Sequence, residues 1–154
     1  MVHGSAVAIG GNAVLLLGPS GSGKSDLALR LIDRGAILIS DDVVVVETRD
    51  DLPVLIAAPN IAGKIEVRGV GICGMEFTNS APLRLAVTFA HEYDRMPQDN
   101  QRAVVAGFSV PLVTLNPYEH SSPIKLELAL RSIIDARLLP VPRQTATANE
   151  SSVF

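Results

Sequence analysis

The chain has 154 residues, about one domain's worth; 47% are hydrophobic, 4% are aromatic and Trp is absent, so a core must come from Val, Ile, Leu and Ala. A net charge of −3 argues against a nucleic-acid footprint, one Cys excludes an internal disulfide or a multi-cysteine zinc site, and ten Pro with twelve Gly exclude a coiled coil. No apolar run approaches the ~20 residues of a membrane span, and the start of the chain lacks a signal-peptide pattern, so the expectation is one cytoplasmic α/β domain with no nucleic-acid or membrane partner.

Ser5 to Ile9 and Ala13 to Leu17 are apolar runs split by Gly10-Gly11-Asn12, which predicts two short strands and a turn. A loop begins at Gly18. From Ser25 the apolar positions Leu27, Ala28, Leu31 and Ile32 share one helical face, and Gly35 is the stop. Ala36 to Ser40 is apolar again and ends at Asp41-Asp42. The β-branched run Val43 to Val46 predicts a strand covered on both faces. Asp50 to Pro53 reads as a turn, and Val54 to Ala58 as a strand closed by Pro59-Asn60. Lys64 to Arg68 alternates as a short strand, and Gly69, Gly71 and Gly74 predict irregular chain after it.

Leu83 to Ala90 predicts a strand, His91 to Arg102 an exposed loop, and Val104 to Leu115 one or two strands broken near Pro111. Ser122 as N-cap with Pro123 next opens a helix whose apolar part runs from Ile124 to Leu138. Leu and Ile on most of its sides predict burial against the sheet or another subunit, and Glu127 and Arg131 are spaced to pair on its wet face. After Pro140 the composition shifts to Pro, Thr, Ser, Ala and Asn. The folded domain is therefore expected over 1–140, with a disordered tail over 141–154.

Gly18-Pro19-Ser20-Gly21-Ser22-Gly23-Lys24-Ser25 is a full match to the Walker A pattern, between an apolar strand and an amphipathic helix. Each residue type has a physical reason. Glycines let the backbone turn its N–H groups toward phosphate, and the helix N-terminus adds positive potential. Lys24 places a point charge on the β and γ phosphates, and the Ser25 hydroxyl can ligate Mg²⁺. A chance match in this length is on the order of 1%, so the loop is assigned to nucleotide phosphate. Asp41-Asp42 follows by one helix and one strand, where such a site needs a carboxylate for Mg²⁺. Neighbouring strand residues point to opposite faces, so both aspartates reach the site only if the chain bends there. One would then serve the metal and the other act as base; the residues alone leave open which.

These pieces resemble the catalytic, C-terminal domain of HPr kinase/phosphorylase, in its short single-domain α-proteobacterial form. His3-Gly4 stands one hairpin before the phosphate loop, Asp41-Asp42-Val43 follows the first helix, and Gly63 to Ile72 resembles the family's signature segment. Tyr93-Asp94-Arg95 resembles its catalytic arginine region. The resemblance implies a P-loop fold of the phosphoenolpyruvate-carboxykinase-like type with a mixed β-sheet. It also implies an ATP- and Mg²⁺-dependent kinase for a serine of the phosphocarrier HPr, with dephosphorylation as a second activity, and hexamers in the family. By the same resemblance Asp41 would be the base, Ser25, Asp42 and Glu66 would serve Mg²⁺, and Arg95 would steady the transferred phosphoryl. His3 would lie near the carboxylates and Arg68 in the signature loop. Pro19 departs from the acidic residue of longer members.

Glu66 and Arg68 alternate along a strand and share a face, which also fits an ordinary ion pair. Cys73, His91-Glu92 and His120 read as non-functional, and Phe77, Phe89 and Phe108 as core. An ATP-sensing module without phosphoryl transfer is the alternative. A small-molecule kinase is weakened by short loops that leave no room for a lid.

Overall fold

The computed structural model describes residues 1–96, 101–135 and 149–153. Strands β1 (Val2–Ile9) and β2 (Asn12–Leu17) form the expected hairpin, in register from Gly4 against Leu17 to Ile9 against Asn12. Helix α1 (Lys24–Asp33) follows the loop. Then come β3 (Ile37–Ser40), β4 (Val43–Arg49), β5 (Leu52–Ala57), β6 (Lys64–Val67), β7 (Gly71–Gly74) and β8 (Ser80–Phe89). The chain continues through β9 (Gln101–Val105), β10 (Phe108–Leu115), α2 (Ser122–Ile134) and β11 (Asn149–Val153).

Among the described residues the large sheet runs β11-β9-β10-β8-β2-β1-β4-β5, with β3 also on β1 and β5 closing back onto β8. It is mixed: β8 is parallel to β2 and to β10, while β1–β2, β4–β5 and β5–β8 are antiparallel. β2 is buried on both faces, which is why it reads as unbroken hydrophobicity. Val14 and Leu16 face one way, with Leu27 and Leu31 of α1 and Leu126 and Leu130 of α2. Ala13, Leu15 and Leu17 face the other way, with Ile39, Val44, Leu55 and Val110. Leu31 is fully buried between helix and sheet. Leu31→Ala should lower unfolding free energy by about 2–5 kcal/mol in a urea titration, through lost transfer energy and the cavity left behind.

One detail of the topology builds the site. β3 pairs with β1 through Ala6 to Ala8, and β4 pairs with β1 through Val2 and His3. The two lie end to end along one edge of β1. The gap between them, Asp41-Asp42, therefore falls opposite Gly4-Ser5.

Several expectations are corrected. Of Val43 to Val46 only Val44 is buried, because β4 leaves β1 after two residue pairs and continues as a ribbon with β5. The glycine-rich chain after Arg68 is regular: β7 pairs with β6. The break in 104–115 lies at Ala106-Gly107, both at positive φ as a tight hairpin requires. Pro111 sits inside β10, where it changes partner from β9 to β8, so its missing N–H interrupts little. The N-cap of α2 is Ser121, and the Ser122 hydroxyl donates back to the Asn116 carbonyl.

Glu127 pairs across to Arg34, the C-cap of α1, at 2.8 Å rather than with Arg131, which ties the two helices together. The Arg34 guanidinium is raised above its ordinary value, first by that hydrogen bond and then by the charge of Glu127. α2 buries Leu126 and Leu130 but leaves Ile124, Leu128, Ile133 and Ile134 exposed. Phe77 is exposed as well; Phe89 and Phe108 are half-buried. The tail expected to be disordered is a strand at 149–153, parallel to β9. Pairing with the backbone edge of β9 makes little demand on side-chain composition. Residues 136–138 of the expected helix and 141–148 and 154 of the tail lie outside the described residues.

Candidate active site

The phosphate loop leaves β2 at Gly18 and enters α1 at Lys24. Gly18, Gly21 and Gly23 all have positive φ. Gly23 is the left-handed N-cap of α1, with no side chain capping the helix, so the first-turn N–H groups are left to a ligand. A Cβ at Gly23 would press on the Pro117 ring at 3.1 Å, so the loop packs closely against the β10–α2 connection. Arg30 donates to the carbonyls of Pro117 and Glu119 and fixes that connection to α1.

Lys24 is 3% exposed. Its ammonium donates to the carbonyls of Gly18 (2.7 Å) and Pro19 (2.9 Å), and Asp42 Oδ1 lies 3.5 Å away. The buried hydroxyl of Ser22 has no hydrogen-bond partner among the described residues. Buried polar groups are normally satisfied. An uncapped helix end, a buried ammonium and an orphan hydroxyl in one loop fit a polyphosphate.

Both aspartates reach this loop, and the bend that allows it is visible. Asp42 has φ 66°, and the Val43 N–H donates to the Asp41 carbonyl at 2.8 Å across it. Such a three-residue turn at positive φ is strained and uncommon, and Asp tolerates it better than most residues. The two carboxylates then differ. Asp41 is 7% exposed. Its Oδ1 accepts from Ser25 Oγ and Ser5 Oγ, each at 2.7 Å, and its Oδ2 accepts from the Glu66 backbone N–H at 3.1 Å. Asp42 has a side chain 48% exposed, 3.5 Å from Lys24 Nζ and 3.5 Å from Ser20 Oγ. Asp41 thus holds the Ser25 hydroxyl, while Asp42 is half-exposed beside Lys24.

The other expected site residues are less tightly assembled. His3 is exposed on β1 opposite Val43, next to the acidic bend. Glu66 brings its backbone to Asp41 while its side chain is exposed, and Arg68 is exposed at the β6–β7 turn. Among the described residues no three His, Cys, Asp or Glu side chains gather as a metal set. The fit for Mg²⁺ therefore rests on the donor chemistry of Ser25 and the adjacent aspartates, beside phosphate oxygens that a nucleotide would bring.

Arg95 is exposed after β8 and makes no ion pair or hydrogen bond with Lys24 or the aspartates. Its neighbour Tyr93 is anchored: its hydroxyl donates to Glu119 Oε1 at 2.5 Å and accepts from Lys125 Nζ at 2.7 Å. That bond to Tyr93 raises the Lys125 ammonium above its ordinary value, against the lowering effect of burial. The sequence reading passed over Ser5, Arg30 and Pro117. Ser5 had a signal, being the one hydroxyl in the run Ser5 to Ile9 and fully buried. The other two become visible only through long-range contacts.

Comparison with known proteins places the chain. The profile of the HPr Serine kinase C-terminal domain matches residues 1–140. An HPr kinase/phosphorylase of Chlorobium phaeobacteroides is 35% identical over 127 residues, covering 73% of this chain and 39% of that protein. One from Clostridium botulinum is 35% identical, covering 74% of this chain and 41% of that protein. The chain thus spans about two fifths of the length of the curated relatives it matches. The solved structure of the Hpr(Ser) kinase/phosphatase from Coxiella burnetii superposes with a TM-score of 0.71 at 25% identity, covering 84% of this chain and 87% of that one. With its phosphate loop, acidic bend and mixed sheet, this chain belongs to the HPr serine kinase C-terminal domain family.

Proposed function

We propose that the chain is a cytoplasmic ATP-dependent protein kinase that phosphorylates a serine of HPr, on a P-loop fold of the phosphoenolpyruvate-carboxykinase-like type. The observation behind this reading is the split environment of the acidic pair. Asp41, held by three donors and bonded to Ser25, is suited to orient that hydroxyl toward Mg²⁺. Asp42, half-exposed beside Lys24, is suited to meet an incoming hydroxyl. This reverses the roles expected from the resemblance: Asp42 is the more reachable by an acceptor, while Asp41 is buried with three hydrogen bonds already accepted.

In this reading Lys24, the loop N–H groups and the Ser22 hydroxyl bind the polyphosphate. Bound Mg²⁺ supplies charge neutralisation at the phosphate oxygens. Asp42 takes the proton of the acceptor serine as its oxygen bonds to the γ-phosphorus; the bond to the bridging oxygen breaks and ADP leaves. Arg95 supplies a cation to the transferred group, Glu66 adds a carboxylate on the metal side, and His3 stands beside Asp42. In the reverse direction the same groups would serve transfer from phosphoserine to inorganic phosphate: the new bond forms to a phosphate oxygen, the bond to the serine oxygen breaks, Asp42 returns the proton to that oxygen, and pyrophosphate leaves. The exposed apolar residues of α2 support self-association of the kind the resemblance implies.

The test is incubation with γ-labelled ATP, Mg²⁺ and purified HPr. Label on an HPr serine is the expected result. Nucleotide binding without label would favour the sensing module, and label on a small molecule would favour a metabolite kinase.

A further inference from the structure

We infer that Ser5 is a positioning residue: its hydroxyl clamps the strained turn that presents both aspartates to the phosphate loop. The inference deepens the proposed kinase reading and rests on it for its catalytic consequence. Ser5 is fully buried on β1, opposite the gap between β3 and β4. Its Oγ donates to Asp41 Oδ1 at 2.7 Å and accepts from the Asp42 N–H at 3.1 Å. One hydroxyl thus engages the side chain of the first aspartate and the backbone of the second. Neither Ala nor Val in its place would do both.

The other contacts of the turn each hold one aspartate: Ser25 Oγ and the Glu66 N–H reach Asp41, and the Gly4 N–H reaches the Asp42 carbonyl. The Asp42 residue sits at φ 66°, a conformation that needs support from its neighbours. Its carbonyl is taken by the Gly4 N–H at 2.9 Å. Gly4 itself has no room for a side chain, because a Cβ would lie 2.8 Å from the Leu16 carbonyl. β1 is therefore pressed against β2 and cannot retreat. On the far side of the turn Ser40 acts as a second brace, donating to the Val43 carbonyl at 2.5 Å and accepting from the Ala58 N–H at 3.2 Å. Ser40 holds the strand flanking the turn. Of the two serines Ser5 is the one that touches the aspartates, and its single hydroxyl links the Asp41 side chain to the Asp42 backbone.

The test uses the full chain with Ser5→Ala and Ser5→Thr. The first readout is amide hydrogen exchange at Asp42 by NMR. Ser5→Ala should accelerate it about tenfold or more, through loss of its acceptor, with little change at core amides such as Leu16. The second is steady-state transfer to HPr. Ser5→Ala should lower kcat about 10- to 100-fold, as expected for a small misplacement of a reacting group, while KM for ATP moves less than about threefold. Ser5→Thr keeps the hydroxyl and should restore both readouts to within about threefold of wild type.

Unchanged exchange at Asp42 in Ser5→Ala would overturn the clamp. So would an unchanged kcat once that amide is freed, or a folded Ser5→Thr protein as impaired as Ser5→Ala. A melting curve on each variant separates these results from unfolding. A wild-type chain inactive on HPr whose Asp42 amide still responds to Ser5→Ala would refute the kinase reading and leave the clamp standing.

Discussion

Lys24→Ala is expected to abolish ATP binding and phosphoryl transfer together. The Lys24 side chain is 3% exposed, and its Nζ bridges the carbonyls of Gly18 and Pro19 and lies 3.5 Å from Asp42, so the charge is fixed where phosphates would enter. Charge-assisted hydrogen bonds contribute about 1.5–3 kcal/mol each, so losing two phosphate contacts weakens binding by about two to four orders of magnitude. Isothermal titration with ATP and Mg²⁺ reads the first effect, and label transfer to HPr the second. Lys24→Arg is expected to fail as well, because a planar guanidinium does not fit a slot closed by two carbonyls. ATP affinity within threefold of wild type in Lys24→Ala would show that this loop does not bind the nucleotide's phosphates.

Asp42→Asn should keep nucleotide affinity and lose transfer by about 10²–10⁴-fold, the range for removing a positioned general base. Asn is nearly isosteric but does not take the proton of the acceptor serine. Asp41→Asn should behave differently. Its carboxylate accepts three hydrogen bonds; Asn can keep its oxygen on the Glu66 N–H only by turning its NH₂ to Ser5 and Ser25, whose hydroxyls must then rotate to accept. Exchanging the charge-assisted hydrogen bonds of a buried carboxylate for neutral ones costs about 1–3 kcal/mol, so Asp41→Asn should lose thermal stability as well as activity. Melting curves with single-turnover transfer separate the two. An Asp42→Asn protein with full transfer and an Asp41→Asn protein stable but inert would restore the order implied by the resemblance, with Asp41 as base.

The hairpin before the loop, the first helix and its Gly35 stop were legible because each is decided locally. Gly10-Gly11-Asn12 encodes a turn, and Leu27, Ala28, Leu31 and Ile32 mark one face of a helix. The departures arose where partners are distant. Glu127 lies four residues from Arg131, yet it pairs with Arg34, because helix packing brings a better-placed bidentate cation. Val43 to Val46 has the composition of a central strand, yet its neighbours on the sheet leave most of it half-covered. Gly69, Gly71 and Gly74 looked like punctuation, but two of them bound a strand that pairs along its backbone with β6.

From residue order alone follow the phosphate loop, the need for a carboxylate after the next strand, and the need for a bend if two are to serve. The loop and the bend are consequences of backbone geometry within a few residues, and the carboxylate follows from the metal chemistry that the loop motif implies. Which aspartate is sheltered and which is open is a property of the assembled sheet. Opposite the bend, β1 supplies Ser5 to one carboxylate and β6 supplies a backbone N–H to the same one, from 36 and 25 residues away in sequence. Burial and hydrogen bonding distinguish two identical side chains, and they arise only when separate strands are brought together.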